Sequence, residues 1–288
     1  MQKFVLAAVV AALIGFVPSA AIADDAAKPH EALIKSKAEA VVALKFVLNV
    51  NINFQGQVIN REVNQSTVGV VVDASGLVML PAAAFDVQLG LPPGVDATST
   101  PTNIRVIFPG DDKEYRAIVG AKDSKLGLGF ALIKDLEGKQ PTIVDLSNAA
   151  EPKIGDTLYG VSRLGQGFDY APVCSDVSVI GQVTKPRTMW AVAGRMDFIA
   201  EPLYKADGAV AGICIMQSGV GEDAGASPFL LPLKVAAPTV KRAKREAERA
   251  LEEILEAEEE AAEAAAEEGA DEGTGDGGDE KEGDEKEG

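Results

Sequence analysis

The chain of 288 residues reads as an all-β protein, a closed barrel or a sandwich, followed by a charged helix and an acidic tail. Three observations predict this. Strand-length apolar and β-branched runs recur through the middle of the chain without long helices between them. Two of the intervals, Asp73-Ala74-Ser75-Gly76 and Pro109-Gly110-Asp111-Asp112, have the small, polar and glycine composition of tight turns. Beyond Val240 the composition changes to Ala, Glu, Lys and Arg, and beyond Gly269 to Gly, Asp and Glu.

At the N-terminus, Lys3, the apolar run Phe4 to Val17 and the small-x-small pattern Ala21-Ile22-Ala23 predict a signal peptide over residues 1–23, cut before Asp24. No later segment approaches the ~20 apolar residues of a membrane-spanning helix, so the expectation is an exported chain with no membrane span after cleavage. Residues 24–39 form a lead-in with helical character from His30 to Ala40.

Strands follow at Val41 to Ile52, Thr67 to Val72, Leu77 to Leu80, Ile104 to Phe108 and Glu114 to Val119. Polar residues Asn51, Asn53, Gln55 and Gln57 with Gly56 loosen the end of the first. Further strands are predicted at Phe130 to Ile133, Thr157 to Val161, Val173 to Ile180, Met196 to Ile199 and Ala209 to Met216. Pro92 to Pro101 reads as an irregular surface insertion. The β region spans residues 40–235, the Ala/Glu-rich helix 236–268 and a disordered acidic tail 269–288.

Charge excludes one class of partner. From Lys241 to Gly288 there are twenty acidic and seven basic residues, a net of −13 within the chain's −17. The single basic cluster, Lys241 to Arg249, runs into Glu-rich sequence and reads as a solvated helix face, so no nucleic-acid footprint exists. The tail suits solubilisation, with weak attraction for Ca²⁺ or a basic partner as the alternative. Cys174 and Cys214 each sit in an apolar run, where a disulfide and two buried free thiols both remain open. Two Cys and one His make no structural zinc site, and no cofactor motif is present. The single Trp190 is read as core, with an exposed hydrophobic contact as the alternative.

Several segments carry a family likeness. TVGVVVDASGLVML (67–80), IRVIFPGDDKEYRAIVGAKDSKLGLGFALIK (104–134), KIGDTLYGVSRLG (153–165) and EPLYKADGAVAGICIM (201–216) resemble, in order and spacing, HtrA-type members of the trypsin-like serine protease family. The resemblance implies two packed β-barrels with any active site in the cleft between them. It extends over residues 40–234 and does not include the PDZ domain of many HtrA proteases.

That family's chemistry needs a serine nucleophile, a histidine base and an aspartate that fixes the imidazole tautomer. Carried over by position, the histidine falls on Ala83 in Leu80-Pro81-Ala82-Ala83, and the aspartate on Gly127 in Gly127-Leu128-Gly129. The serine falls on Ile199 in Asp197-Phe198-Ile199-Ala200-Glu201-Pro202-Leu203, which also lacks the glycines that shape an oxyanion hole. The histidine count does not depend on alignment: His30, in the lead-in, is the chain's sole histidine.

The expectation is a pseudoprotease, an exported binding or scaffold module that engages another exported protein or peptide through the interlobe cleft or the acidic tail. The alternative is a hydrolase with an unrecognised nucleophile. Its candidates are Ser162 and Ser218, read as loop residues, a Ser-Lys dyad using Lys45, Lys122, Lys134 or Lys205, or one of the cysteines.

Overall fold

The computed structural model describes residues 20–54, 57–86, 95–147, 149–194, 198–218 and 225–271. Twelve strands close into two antiparallel barrels. In the first, β1 (Val41–Phe54), β2 (Gln57–Asp73), β3 (Leu77–Pro81), β4 (Val95–Ile107), β5 (Glu114–Asp123) and β6 (Leu128–Ile133) run in the order β1-β2-β3-β6-β5-β4. The second contains β7 (Thr157–Arg163), β8 (Pro172–Val183), β9 (Met189–Gly194), β10 (Pro202–Tyr204), β11 (Val210–Ser218) and β12 (Ala226–Leu231). Its order, β7-β8-β9-β12-β11-β10, repeats that of the first.

The turns form where the sequence signals them. At the β2–β3 hairpin the Gly76 amide donates to the Asp73 carbonyl at 3.0 Å, and the Ser75 amide to the Asp73 carboxylate at 2.9 Å. Gly76 itself holds a φ of +84°, which glycine adopts without steric penalty. At the β4–β5 turn the Asp111 amide closes on the Phe108 carbonyl at 3.2 Å.

Three apolar clusters hold the molecule together. One fills the first barrel around Leu44, Val71, Val78, Leu80, Val106 and Ala131. A second fills the other barrel around Leu158, Val179, Trp190, Phe198, Leu203 and Leu230. The third occupies the seam between the barrels and continues beneath the helices. In β3, Val78 and Leu80 enter the barrel while Leu77 and Met79 enter the seam cluster. Both faces of the strand are therefore buried, which is why the run is continuously apolar instead of alternating. In β6, Ala131 and Ile133 divide from Leu128, Phe130 and Leu132 by the same two-residue period.

Two helices complete the chain. α1 (Ala20–Lys37) lies against β7 and β8, and the cleavage point expected before Asp24 falls within it. α2 (Leu233–Asp271) lays Leu233, Ala236, Val240, Ala243 and Ala247 on the seam cluster at helical spacing. Its small residues permit close approach: a Cβ added at Gly120 of β5 would lie 2.6 Å from the Ala247 methyl. Arg242 reaches Asp123 at 2.8 Å and Lys244 reaches Asp73 at 2.9 Å. Those two side chains, expected only as a solvated face, thus tie the helix to the barrel.

Other expectations need correction. β1 and β2 form one long hairpin, so Gln57 to Ser66 is strand and not connection. Pairing of β1 with β2 on one edge and β4 on the other outweighs the weak strand preference of Asn, Gln, Glu and Arg. Residues 95–101 of the expected irregular insertion belong to β4, with Pro101 placed where β4 pairs only with β1. No strand occupies Phe198 and Ile199; the strand there is β9, Met189–Gly194. The helix extends past its expected limits, while residues 1–19, 87–94 and 272–288 lie outside the described residues. Among the described residues no helix is long and apolar enough to cross a membrane.

Candidate functional site

Ala83 follows β3 in a short 3-10 turn, Ala82–Phe85. Ala82 is buried and Ala83 is exposed, so the position expected for the base opens to solvent with only a methyl group on it. The Ala82 amide donates to the Gly127 carbonyl at 2.9 Å, which joins the expected histidine and aspartate positions through the backbone. Gly127 has a φ of +68°, and a Cβ built there would lie 4.0 Å from the Met216 carbonyl oxygen of β11. Gly127 therefore stands at the seam between the barrels.

Ile199 lies in the turn before β10 and packs partly buried against the interior of the second barrel. Beside it Phe198 is buried, with its ring directly over Gly160 of β7: an added Cβ there would meet the ring at 2.5 Å. The loop is an apolar plug. Its amides are occupied as well, since Ala200 donates to the Cys214 carbonyl at 2.7 Å and Glu201 to the Phe198 carbonyl at 3.0 Å. An oxyanion hole needs amides aimed at developing charge, and these two are aimed into the protein. Ala200 also holds a φ of +63°, unusual for a residue with a side chain.

Sequence reasoning assigned no role to a buried polar pair next to this plug. Ser162, expected in a loop, lies buried in β7 and donates to Glu201 Oε1 at 2.8 Å. One signal was available: Glu201 is the only charge in the run Phe198 to Tyr204. A serine that donates to a buried carboxylate has a partner able to accept its proton only at the cost of a neutral carboxyl group, and both side chains of the pair are buried.

Ser218, expected in a loop, is the last residue of β11; the cysteine and lysine candidates are engaged. Cys174 and Cys214 are both free thiols, which closes the disulfide alternative. Burial, with the negative charge of Glu201 adding to it, pushes Cys214 up to about 12, and burial with Asp176 pushes Cys174 up to about 11. Neither forms the thiolate that nucleophilic attack requires at neutral pH. Each candidate lysine is ion-paired with a carboxylate: Lys45 with Glu114 at 3.1 Å, Lys134 with Glu258 at 2.6 Å, Lys205 with Asp156 at 3.3 Å, and Lys122 with Asp86. A dyad base must lose its proton, whereas the Glu114 bond raises the Lys45 ammonium further.

His30 belongs to the outer surface of the second barrel. Its ring meets Tyr159 edge-on at 5.1 Å, and Nε2 lies 3.5 Å from Asp176 Oδ1. These partners sit on β7 and β8, whereas Ala83 and Gly127 sit on the first barrel at the seam. Among the described residues no group of three or more His, Cys, Asp or Glu side chains could hold a metal ion.

Two six-stranded barrels with this repeated strand order, followed by a C-terminal helix, are the trypsin-like serine protease fold. No family model matches the chain, and no curated protein matches it. Among solved structures it is similar to the MamO protease domain from Magnetospirillum magneticum in its apo form, at 15% identity and a TM-score of 0.44, covering 71% of this chain and 97% of that one.

Proposed function

We propose that the chain is an exported, non-catalytic module of trypsin-like fold that holds another exported protein or peptide at the seam between its barrels or through its acidic tail. The observation that carries this reading is the nucleophile loop, where Phe198 and Ile199 turn inward and the Ala200 and Glu201 amides are spent on internal carbonyls. A protease loop must present both a nucleophile and free donors. The position of His30 against Tyr159 of β7 and Asp176 of β8, away from Ala83 and Gly127 on the first barrel, supports the same reading.

Exposure of the purified chain to a serine-directed fluorophosphonate probe and a broad peptide library tests it. Neither labelling nor cleavage is expected. Labelling at one serine, abolished by its replacement with alanine, overturns the proposal in favour of a hydrolase with an unrecognised nucleophile. The triple variant Ala83→His, Gly127→Asp, Ile199→Ser is expected to remain inactive, because the donors stay occupied. Export is tested by fractionation and N-terminal sequencing, with Asp24 as the expected first residue.

A further inference from the structure

Beyond the barrel wall, β1, β2 and β4 continue as a three-stranded arm whose two faces differ. The inner face is apolar along β1, where Leu48 and Val50 are 2% and 3% exposed and join the first barrel's cluster, while Arg61 of β2 and Ser99 of β4 stand opposite Val50. The outer face is a ladder of amides and hydroxyls. Register places Asn60, Asn51 and Thr98 side by side in one row, and Glu62, Asn49 and Thr100 in the next. Asn64 and Thr102 flank Val47 in a third.

Asparagine is depleted in strands, because it packs poorly on a pleated surface and competes for backbone hydrogen bonds. The chain has seven asparagines, and five of them, Asn49, Asn51, Asn53, Asn60 and Asn64, fall at outward positions of this one face. Local rules broken in concert mark function more often than packing. Asn49 and Thr102 are tied down, by a 3.3 Å bond from the amide to the hydroxyl and another from that hydroxyl to the Val47 carbonyl. Asn51, Asn60, Thr98 and Thr100 are exposed, and a shallow depression of ≈ 450 Å³ opens beside Asn49, Asn51 and Asn60, with the oppositely charged Arg61 and Glu62 and the side of Val50 completing its lining.

We infer that this face is a binding site for a neutral polyhydroxylated chain, a glycan. Each amide offers two donors and an acceptor, and each hydroxyl offers both roles, which is the complement of vicinal sugar hydroxyls. The groups repeat at roughly 4.8 Å across the strands and about 6.7 Å along them, a lattice that suits a repeating ligand. Charge selects against other polymers: on the three rows Glu62 is the one ionised side chain, although the chain carries −17 overall. Arg61 beside the depression is offset by Glu62, and Lys45 in the adjoining row by Glu114, so the face offers no surplus of cations to draw a polyanion. A second β-sheet would need an apolar face to pack on. Val58, outward at the tip and 65% exposed, adds an apolar contact for a sugar's C–H face.

The site is separate from the seam and stands whether or not that seam binds a partner. Affinity electrophoresis of the purified chain through gels containing hydroxyethyl cellulose, laminarin or dextran tests it. Retardation by at least one polysaccharide is expected. Replacing Asn51, Asn60 and Thr100 together by alanine should weaken binding about 30-fold or more, since each lost neutral hydrogen bond costs roughly threefold to tenfold. Thr184→Ala, an exposed hydroxyl of the second barrel, should leave it unchanged. No retardation in any of the three gels, or retardation equal in the triple variant, overturns the proposal; circular dichroism of these surface variants verifies their folding.

Discussion

Ala200 carries an unusual backbone conformation at a buried position in the turn before β10. Its φ of +63° lies in the region that a Cβ penalises. Ala200→Gly should leave stability within about 1 kcal/mol of the parent, read from the denaturant midpoint, because relief of the left-handed strain is offset by glycine's entropy and by loss of a fully buried methyl. The neighbouring Phe198 has no such offset: Phe198→Ala empties the space over Gly160 and should cost about 3–5 kcal/mol by the same measurement. At this scale the sequence was readable where the signal is local. The strands on either side of two expected site positions were legible, β3 before Ala83 and β6 after Gly127, because each run is short and continuously apolar. The Ser162–Glu201 contact was not, because it joins residues 39 positions apart that only barrel closure brings together.

Among the elements, α2 depends on charge as well as on its alanine stripe. Burial alone would raise the Asp73 carboxyl, yet bonds from Ser75 and the Lys244 ammonium outweigh it and leave the group below its ordinary value of 3.8. The Asp73 bond raises Lys244 above its ordinary 10.5. A depressed carboxyl contributes stability above its unfolded value and loses it as pH falls through the folded one; a raised ammonium contributes below its unfolded value and loses it as pH rises through the folded one. The pair should therefore hold α2 across the neutral range. Hydrogen exchange at pH 5 and pH 3 provides the check: protection should fall around Lys244 at the lower pH, while the β3 amides stay protected. The helix itself was visible in the Ala/Glu/Lys/Arg composition, but its docking was not, because a basic cluster has the same sequence whether it faces water or Asp73 and Asp123. The arm was hidden for a related reason. Gln57 to Ser66 has the composition of a connection and becomes strand only by pairing.

On the scale of the whole molecule, the pair of barrels was legible because strand-length runs and their turns occur in order, and two packed barrels are what the resemblance implied. The seam was less so, since an uninterrupted apolar run does not reveal which of its residues face which neighbour. The structure resolves this by parity: in β3 and β6 successive residues belong alternately to the barrel interior and to the seam. Separation of the barrels would expose Leu77, Met79, Phe130 and Leu132 to water while leaving the first barrel's interior filled. Their combined burial is worth roughly 1.5–3 kcal/mol each, a large share of a domain's net stability. Heating should then produce one calorimetric transition, with calorimetric and van't Hoff enthalpies equal, and two resolved transitions would refute the coupling. The parity of β3 also sorts damage before any measurement. A polar substitution at Val78 wounds one half from within, whereas the same substitution at Met79 leaves each half intact and takes away its reason to stay with the other.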